Sequence, residues 1–169
     1  PLGTLGVGPG YAMAAKLVTR DDPRVTEPGR WVEYFKEPYL PGAPDPLWRP
    51  LPCLTYALQW RIHGGLPWPF HLINILLHAF ASALVAELAW RWTARIWAAY
   101  IAGAIFAAHP VHVEAVAYIV GRAELMCTAA IVLGLILSRR RPLNMSRAIM
   151  IAACFAVAIG SKEHGLLLA

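Results

Sequence analysis

The sequence predicts an all-α, multi-pass helical membrane protein, and three observations carry that prediction. Apolar residues fill 58% of the 169 positions and charged residues only 15%, against roughly 25% charged in a soluble domain. The charges are clumped, with arginines in a few short stretches and long apolar runs between them. One of those runs, Phe70 to Trp90, has about the 20 residues that a helix needs to cross ~30 Å of hydrocarbon.

The net charge of +5 sits beside apolar runs, where it orients helices in a bilayer. It does not form a nucleic-acid-binding patch. Cys53, Cys127 and Cys154 are scattered and odd in number. They are neither a disulfide framework nor a zinc knuckle, and are expected to be small buried apolar residues.

In chain order, residues 1–19 are Gly-rich and mildly apolar, too weak for a span. The opening Pro and the closing Leu-Leu-Leu-Ala suggest a fragment cut at both ends. Residues 20–69 form an outer loop with an acidic pair. Five prolines between Pro38 and Pro50 bar a long helix there. Within it, residues 52–62 carry Leu54, Leu58 and Ile62 at helical spacing beside Trp60 and Arg61, a pattern that predicts a short helix lying in the membrane interface. Gly64-Gly65, Pro67 and Pro69 end it.

Residues 70–169 supply the membrane helices. The first span is Phe70 to Trp90, closed by Trp90-Arg91-Trp92, an interfacial belt with a cation. A second runs from near Trp92 to Ala108. Its purely apolar part, Ile96 to Ala108, is short, so either the helix starts before Ile96 or His109 lies below the membrane surface. Residues 110–124 predict a turn and a half-buried helix. A third span ends at Ser138, and a fourth covers about Ala148 to Ile159.

The stretches 91–95 and 139–147 are the richest in arginine. If spans alternate, both lie on one side, which the positive-inside rule makes cytoplasmic. The connections 20–69, 109–124 and 160–165 then share the opposite face. They hold Asp21-Asp22, the run His109-Pro-Val-His112-Val-Glu114, and Ser161-Lys162-Glu163-His164. This convergence marks the expected site.

Adjacent carboxylates at Asp21 and Asp22 suit a general base or a metal, or else a solvated turn before Pro23. In the first span, His71, Asn74, His78 and Ser82 fall within about 80° of one another at 100° per residue. They face protein or a wet cavity, or bond one helix to the next. Pro110 fits the first position of a helix and leaves His109 just outside it. His109, His112 and Glu114 together can bind zinc, but they lack the His-Glu-x-x-His spacing. Arg49, Arg122 and Lys162 can grip a phosphate, or snorkel toward headgroups. Glu124 and Glu163 nearby favour fixed ion pairs instead.

Taken in order, Asp21-Asp22, Trp48-Arg-Pro-Leu51, His71-Leu-Ile-Asn-Ile-Leu-Leu-His78, His109-Pro-Val-His-Val-Glu-Ala-Val116, Gly121-Arg-Ala-Glu-Leu125 and Ser161-Lys-Glu-His164 resemble one family. It is that of the transmembrane and tetratricopeptide-repeat-containing proteins and their bacterial relatives, glycosyltransferases of the GT-C type. The resemblance covers about residues 20 to 165, and its most specific part runs from His109 to Arg122. It implies a GT-C-like N-terminal fragment, and a sugar, mannose or another hexose, carried on a polyprenyl phosphate. It implies transfer to a protein hydroxyl on the non-cytoplasmic face of a bacterial inner membrane or an endoplasmic-reticulum membrane. Asp21 would be the base, supported by Asp22. Arg49, Arg122 and Lys162 would contact the donor phosphate, while His71, His109, His112, Glu114 and Glu163 shape the site. A divalent metal held by the acidic pair and Glu114 stays open. So do two other classes: a non-catalytic scaffold of the same fold, and a transporter of lipid-linked sugar. The expected partners are the bilayer, the lipid-linked sugar and the acceptor protein. The fragment alone is expected to be inactive.

Overall fold

The structure is a computed structural model that describes residues 16, 18–27, 29–39, 47–139 and 144–168, the side chains of 167 and 168 excepted. Among these residues every regular element is helical. The expectation for residues 1–19 falls almost wholly outside them.

Within residues 20–69 the described part holds three helical elements. Helix α1 (Pro23–Thr26) starts because the Asp22 carboxylate accepts from the Arg24 backbone N–H and Pro23 sits at the first helical position. A 3₁₀ turn follows at Arg30–Phe35, entered through Gly29 at φ 96°. Helix α2 (Pro50–His63) has prolines in its first turn, where no hydrogen bond is lost, and stops at Gly64 with φ 61°. It exposes Leu58 and Ile62 while burying Cys53, Tyr56 and Ala57.

Helix α3 (Pro67–Thr93) has 27 residues, about 40 Å at 1.5 Å per residue. It ends where Ala94 adopts φ 54°. Helix α4 (Ile96–Ala108) then runs back over 13 residues, about 20 Å. The left-handed residue Ala94 fixes its start at Ile96, so the earlier start is ruled out and His109 caps a helix too short for ~30 Å of hydrocarbon. The chain continues through the turn Pro110–His112 into α5 (Val113–Ala117), bent 47° from α4. The turn Ile119–Gly121 leads into α6 (Arg122–Ser138), and Asn144 caps α7 (Met145–Ser161) by accepting from the Arg147 N–H. A 3₁₀ segment at Glu163–Leu168 closes the described chain.

Two helices are long and apolar enough to cross a membrane: α3, and Ile119–Ser138, which includes α6. A third exists if α4 and the bent segment after it form one span. Of the four expected spans, the second thus needs the bent segment to complete it. The fourth, in α7, is an apolar helix of 17 residues, the short end of the spanning range.

Helix α3 packs between α4 and α6, and α6 packs on α7. Small residues let the backbones approach. A side chain at Gly103 would lie 3.0 Å from the Ala86 methyl, and Ala81, Ala129, Ala130 and Ala158 are buried. Without a hydrophobic drive between helices in lipid, such close packing holds them together. The outward faces are apolar, with Ile75, Leu76, Ile101 and Ile105 exposed. The Arg139 guanidinium lies 5.6 Å from the Trp92 ring centre, so the two arginine-rich turns share one end of the helices. The sequence-predicted site residues lie at the other end.

A candidate active site at the end opposite the arginine-rich turns

The chain breaks its helical path at Tyr118, which is extended at φ −97°, ψ 137°. A break frees backbone carbonyls, and a buried carbonyl without a donor costs ~1–3 kcal/mol. The 3₁₀ turn gives each carbonyl one donor, the Gly121 N–H to Tyr118 at 3.0 Å and the Arg122 N–H to Ile119, and two neighbouring helices add a second. Asn74 Nδ2 donates to the Tyr118 carbonyl at 2.8 Å, and the Tyr56 hydroxyl donates to the Ile119 carbonyl at 2.8 Å. The turn closes because Gly121 has no side chain: a Cβ there would fall on the backbone of Ala115.

Arg122 is the first residue of α6 and is fully buried. Its Nε donates to Asn74 Oδ1 at 3.1 Å, one terminal nitrogen to Thr55 Oγ1 at 3.1 Å, and the other to the Phe70 carbonyl at 3.0 Å. The guanidinium also stacks over Tyr56, 4.7 Å from the ring centre. One arginine thus joins α2, α3 and α6.

Beside this hub lies a cavity of about 310 Å³ lined by Arg49, Glu114, Tyr118, Gly121, Glu124 and Lys162, among others. It unites three sequence-predicted residues, Arg49, Glu114 and Lys162, from three separate stretches of chain. Arg122 does not line it. Gly121, Ala123 and Glu124 face the cavity, and Arg122, set round the helix from its neighbours by 100°, points toward α2 and α3. Each cavity cation has a carboxylate partner. Arg49 donates to Glu163 Oε2 at 3.0 Å, and Lys162 pairs with Glu124. Partial burial disfavours the Glu163 charge, but the bond from Arg49 and the nearby Lys162 outweigh it and hold this carboxyl below its ordinary range. Glu114 is exposed at the cavity edge.

The acidic pair splits. Asp22 is buried and bound to Arg24, whose guanidinium donates to both carboxylate oxygens and to the Pro38 and Tyr39 carbonyls. Asp21 is exposed, and its carboxylate makes no hydrogen bond or ion pair among the described residues. Arg24 also faces the Tyr34 ring at 5.2 Å. Burial pushes the nearby Cys53 thiol up to about 12. All three cysteines are buried and free, as small apolar residues should be.

His109 caps the turn after α4, its Nδ1 accepting from the Val111 N–H at 3.2 Å, with Pro110 at the first position. His112 lies 5.2 Å from His78, ring centre to ring centre, and 4.3 Å from Phe106. His78 Nε2 meets the Ala107 carbonyl at 3.1 Å, and Ser82 bonds back to the His78 carbonyl. The polar stripe of α3 thus divides: Asn74 serves the Arg122 hub and His78 a separate histidine group. His71 is half-buried on α3. Among the described residues no three His, Cys, Asp or Glu side chains converge to hold a metal.

Sequence reasoning missed Arg24, Thr55 and Tyr56. Arg24 stood two places after the acidic pair, where an Asp-x-Arg N-cap was open to recognition. Thr55 and Tyr56 gave no signal, because their partners lie 67 and 63 residues away.

These features define an all-α membrane chain whose buried arginine and paired charges gather at one helical end. No family model and no solved structure matches it. Protein O-mannosyl-transferase Tmtc2 of Drosophila melanogaster is 42% identical over 130 residues, covering 73% of this chain and 14% of that protein. Tmtc1 of the same fly is 36% identical over 112 residues, 66% of this chain and 13% of the relative. Human TMTC2 is 39% identical over 89 residues, 53% and 11%. The chain belongs to the transmembrane and tetratricopeptide-repeat-containing family of protein O-mannosyl-transferases. It spans about a seventh of the length of the fly relatives it matches.

Proposed function

We propose that this chain is part of a membrane glycosyltransferase that moves mannose from a polyprenyl-phosphate donor to a protein hydroxyl on the non-cytoplasmic face. The observation that carries the reading is the cavity where Arg49 and Lys162 stand beside Glu114, at the end opposite the arginine-rich turns. Sidedness follows from the positive-inside rule, and the transfer chemistry from the relatives' names.

The acceptor oxygen attacks the anomeric carbon while a carboxylate takes its proton. The bond from that carbon to the phosphate oxygen breaks, and the polyprenyl phosphate leaves with the electron pair. Arg49 and Lys162 stabilise the charge that develops on it. Asp21 is the base, being the exposed member of the pair, and Asp22 holds its loop through Arg24. Glu114 is the next candidate.

The test is mannosyl transfer by the full-length protein in membranes, from radiolabelled polyprenyl-phosphate mannose. Asp21→Asn is expected to abolish transfer with expression unchanged, and Arg49→Ala with Lys162→Ala to weaken donor binding. No transfer by the wild type would sink the enzyme reading in favour of a scaffold. Sugar flux across proteoliposomes without transfer would favour a transporter.

A further inference from the structure

A second cavity, of about 380 Å³, lies between α2 and the start of α3. Its lining differs in kind from that of the first. Leu58, Ile62, Trp68, Leu72 and Ile73 form an apolar wall, joined by Thr55, Gln59 and Arg122. Leu58 and Ile62 are 63% and 64% exposed, so the wall is open to whatever solvates α2 and α3. No acidic residue lines it.

Two buried groups beside this groove are unfinished. The Arg122 side chain is at 0% exposure, and its three hydrogen-bond acceptors are all neutral. Among the described residues it forms no ion pair. A guanidinium has five N–H donors, so three bonds leave capacity. Gln59 is 7% exposed, and neither its amide nitrogen nor its amide oxygen has a partner. A buried cation without a counter-charge attracts an anion more strongly than it would in water, because the Coulomb energy scales inversely with the local dielectric. The contrast with the first cavity is direct, since Arg49 and Lys162 already have their carboxylates.

We propose that this groove is a site for an anionic glycerophospholipid. Its headgroup lies toward Arg122 and the Gln59 amide, and its acyl chains run over Leu58, Ile62, Leu72 and Ile73. The apolar wall selects a lipid over a free phosphate, and it continues along the exposed face of α3 at Leu76. His63, in the last turn of α2, lines the groove as well. This site is separate from the proposed sugar-transfer cavity and stands or falls independently of it.

The experiment uses the full-length protein in phosphatidylcholine vesicles doped with photoactivatable phosphatidylglycerol. Labelling is expected at the groove lining, residues 55–73 and Arg122, reduced by excess unlabelled phosphatidylglycerol and not by inorganic phosphate. Gln59→Leu keeps an apolar fill and should lower the preference for phosphatidylglycerol over phosphatidylcholine about tenfold or more, the worth of one hydrogen bond to a charged group. Arg122→Gln should lower it further, and if that variant fails to fold, Gln59→Leu still decides. Labelling that leaves residues 55–73 and Arg122 untouched would overturn the proposal. So would equal competition by phosphatidylcholine, displacement by inorganic phosphate alone, or an unchanged preference in Gln59→Leu.

Discussion

Arg24 holds Asp22 through both carboxylate oxygens, with bonds of 2.9 to 3.1 Å, and both side chains are almost wholly buried. Removing one partner of such a pair leaves an uncompensated buried charge. Arg24→Ala should therefore destabilise the protein by ~3–5 kcal/mol. Asp21→Asn should leave thermal unfolding in detergent unchanged. If the two variants unfold at the same temperature, the division of the acidic pair into a structural and an exposed member is wrong.

Asn74 serves two clients, donating to the Tyr118 carbonyl and accepting from Arg122. Asn74→Ala removes one acceptor from the buried Arg122 guanidinium, at ~1–3 kcal/mol, while the Tyr118 carbonyl loses its side-chain donor but keeps the Gly121 N–H. The variant should lose its monodisperse peak in size exclusion several degrees below the wild type. Asn74→Asp separates the two roles: it keeps an acceptor for Arg122 and gives it a counter-charge, but removes the side-chain donor from the Tyr118 carbonyl and sets a carboxylate beside it. It should fall between wild type and Asn74→Ala.

Much of this arrangement was legible in the sequence because its signals are local. Helix ends were readable from Gly64, Pro67 and Pro110, and α3 from an unbroken apolar run. The shared end of Arg139 and Trp92 followed from alternating spans. The nearness of Glu124 to Arg122 and of Glu163 to Lys162 in sequence pointed to fixed pairs, but the structure exchanges the partners: Lys162 takes Glu124, Arg49 takes Glu163, and Arg122 has no carboxylate among the described residues. What was not legible depends on contacts distant in sequence. Arg122 was expected beside Arg49 and Lys162, yet its place one residue round the helix turns it to the other side. For residues 110–124 the sequence predicts a turn and a half-buried helix; the break at Tyr118 is not in that reading, because nothing local announces the second donors from Asn74 and Tyr56.

Gly121 sits where a side chain would fall on the Ala115 backbone. Backbone cannot yield as a flexible side chain does, so Gly121→Ala must push α5 away from the start of α6. The first cavity draws its lining from both sides of that turn. The expected result is reduced expression of folded protein and lower donor affinity in what remains. A Gly121→Ala protein with wild-type stability would show that the close approach is not required.

The Arg49–Glu163 pair makes stability depend on pH in a stated direction. Glu163 has a depressed folded-state value, while an unfolded glutamate titrates near ~4.3. The charged form is therefore favoured by folding, and the contribution is fully present above the unfolded value. As pH falls through that value and then through the lower folded one, the contribution is lost. Glu163 is 47% exposed at the side chain, so solvent screening limits the effect to the range of exposed pairs, ~1 kcal/mol or less. Unfolding temperature measured from pH 7 down to pH 3 should fall more steeply in the wild type than in Glu163→Gln. The two curves should converge at the acid end, where the wild-type carboxyl is protonated and the pair is broken in both proteins. Parallel curves across the range would place the acid-sensitive contact elsewhere, with Lys162–Glu124 the next to examine by Glu124→Gln.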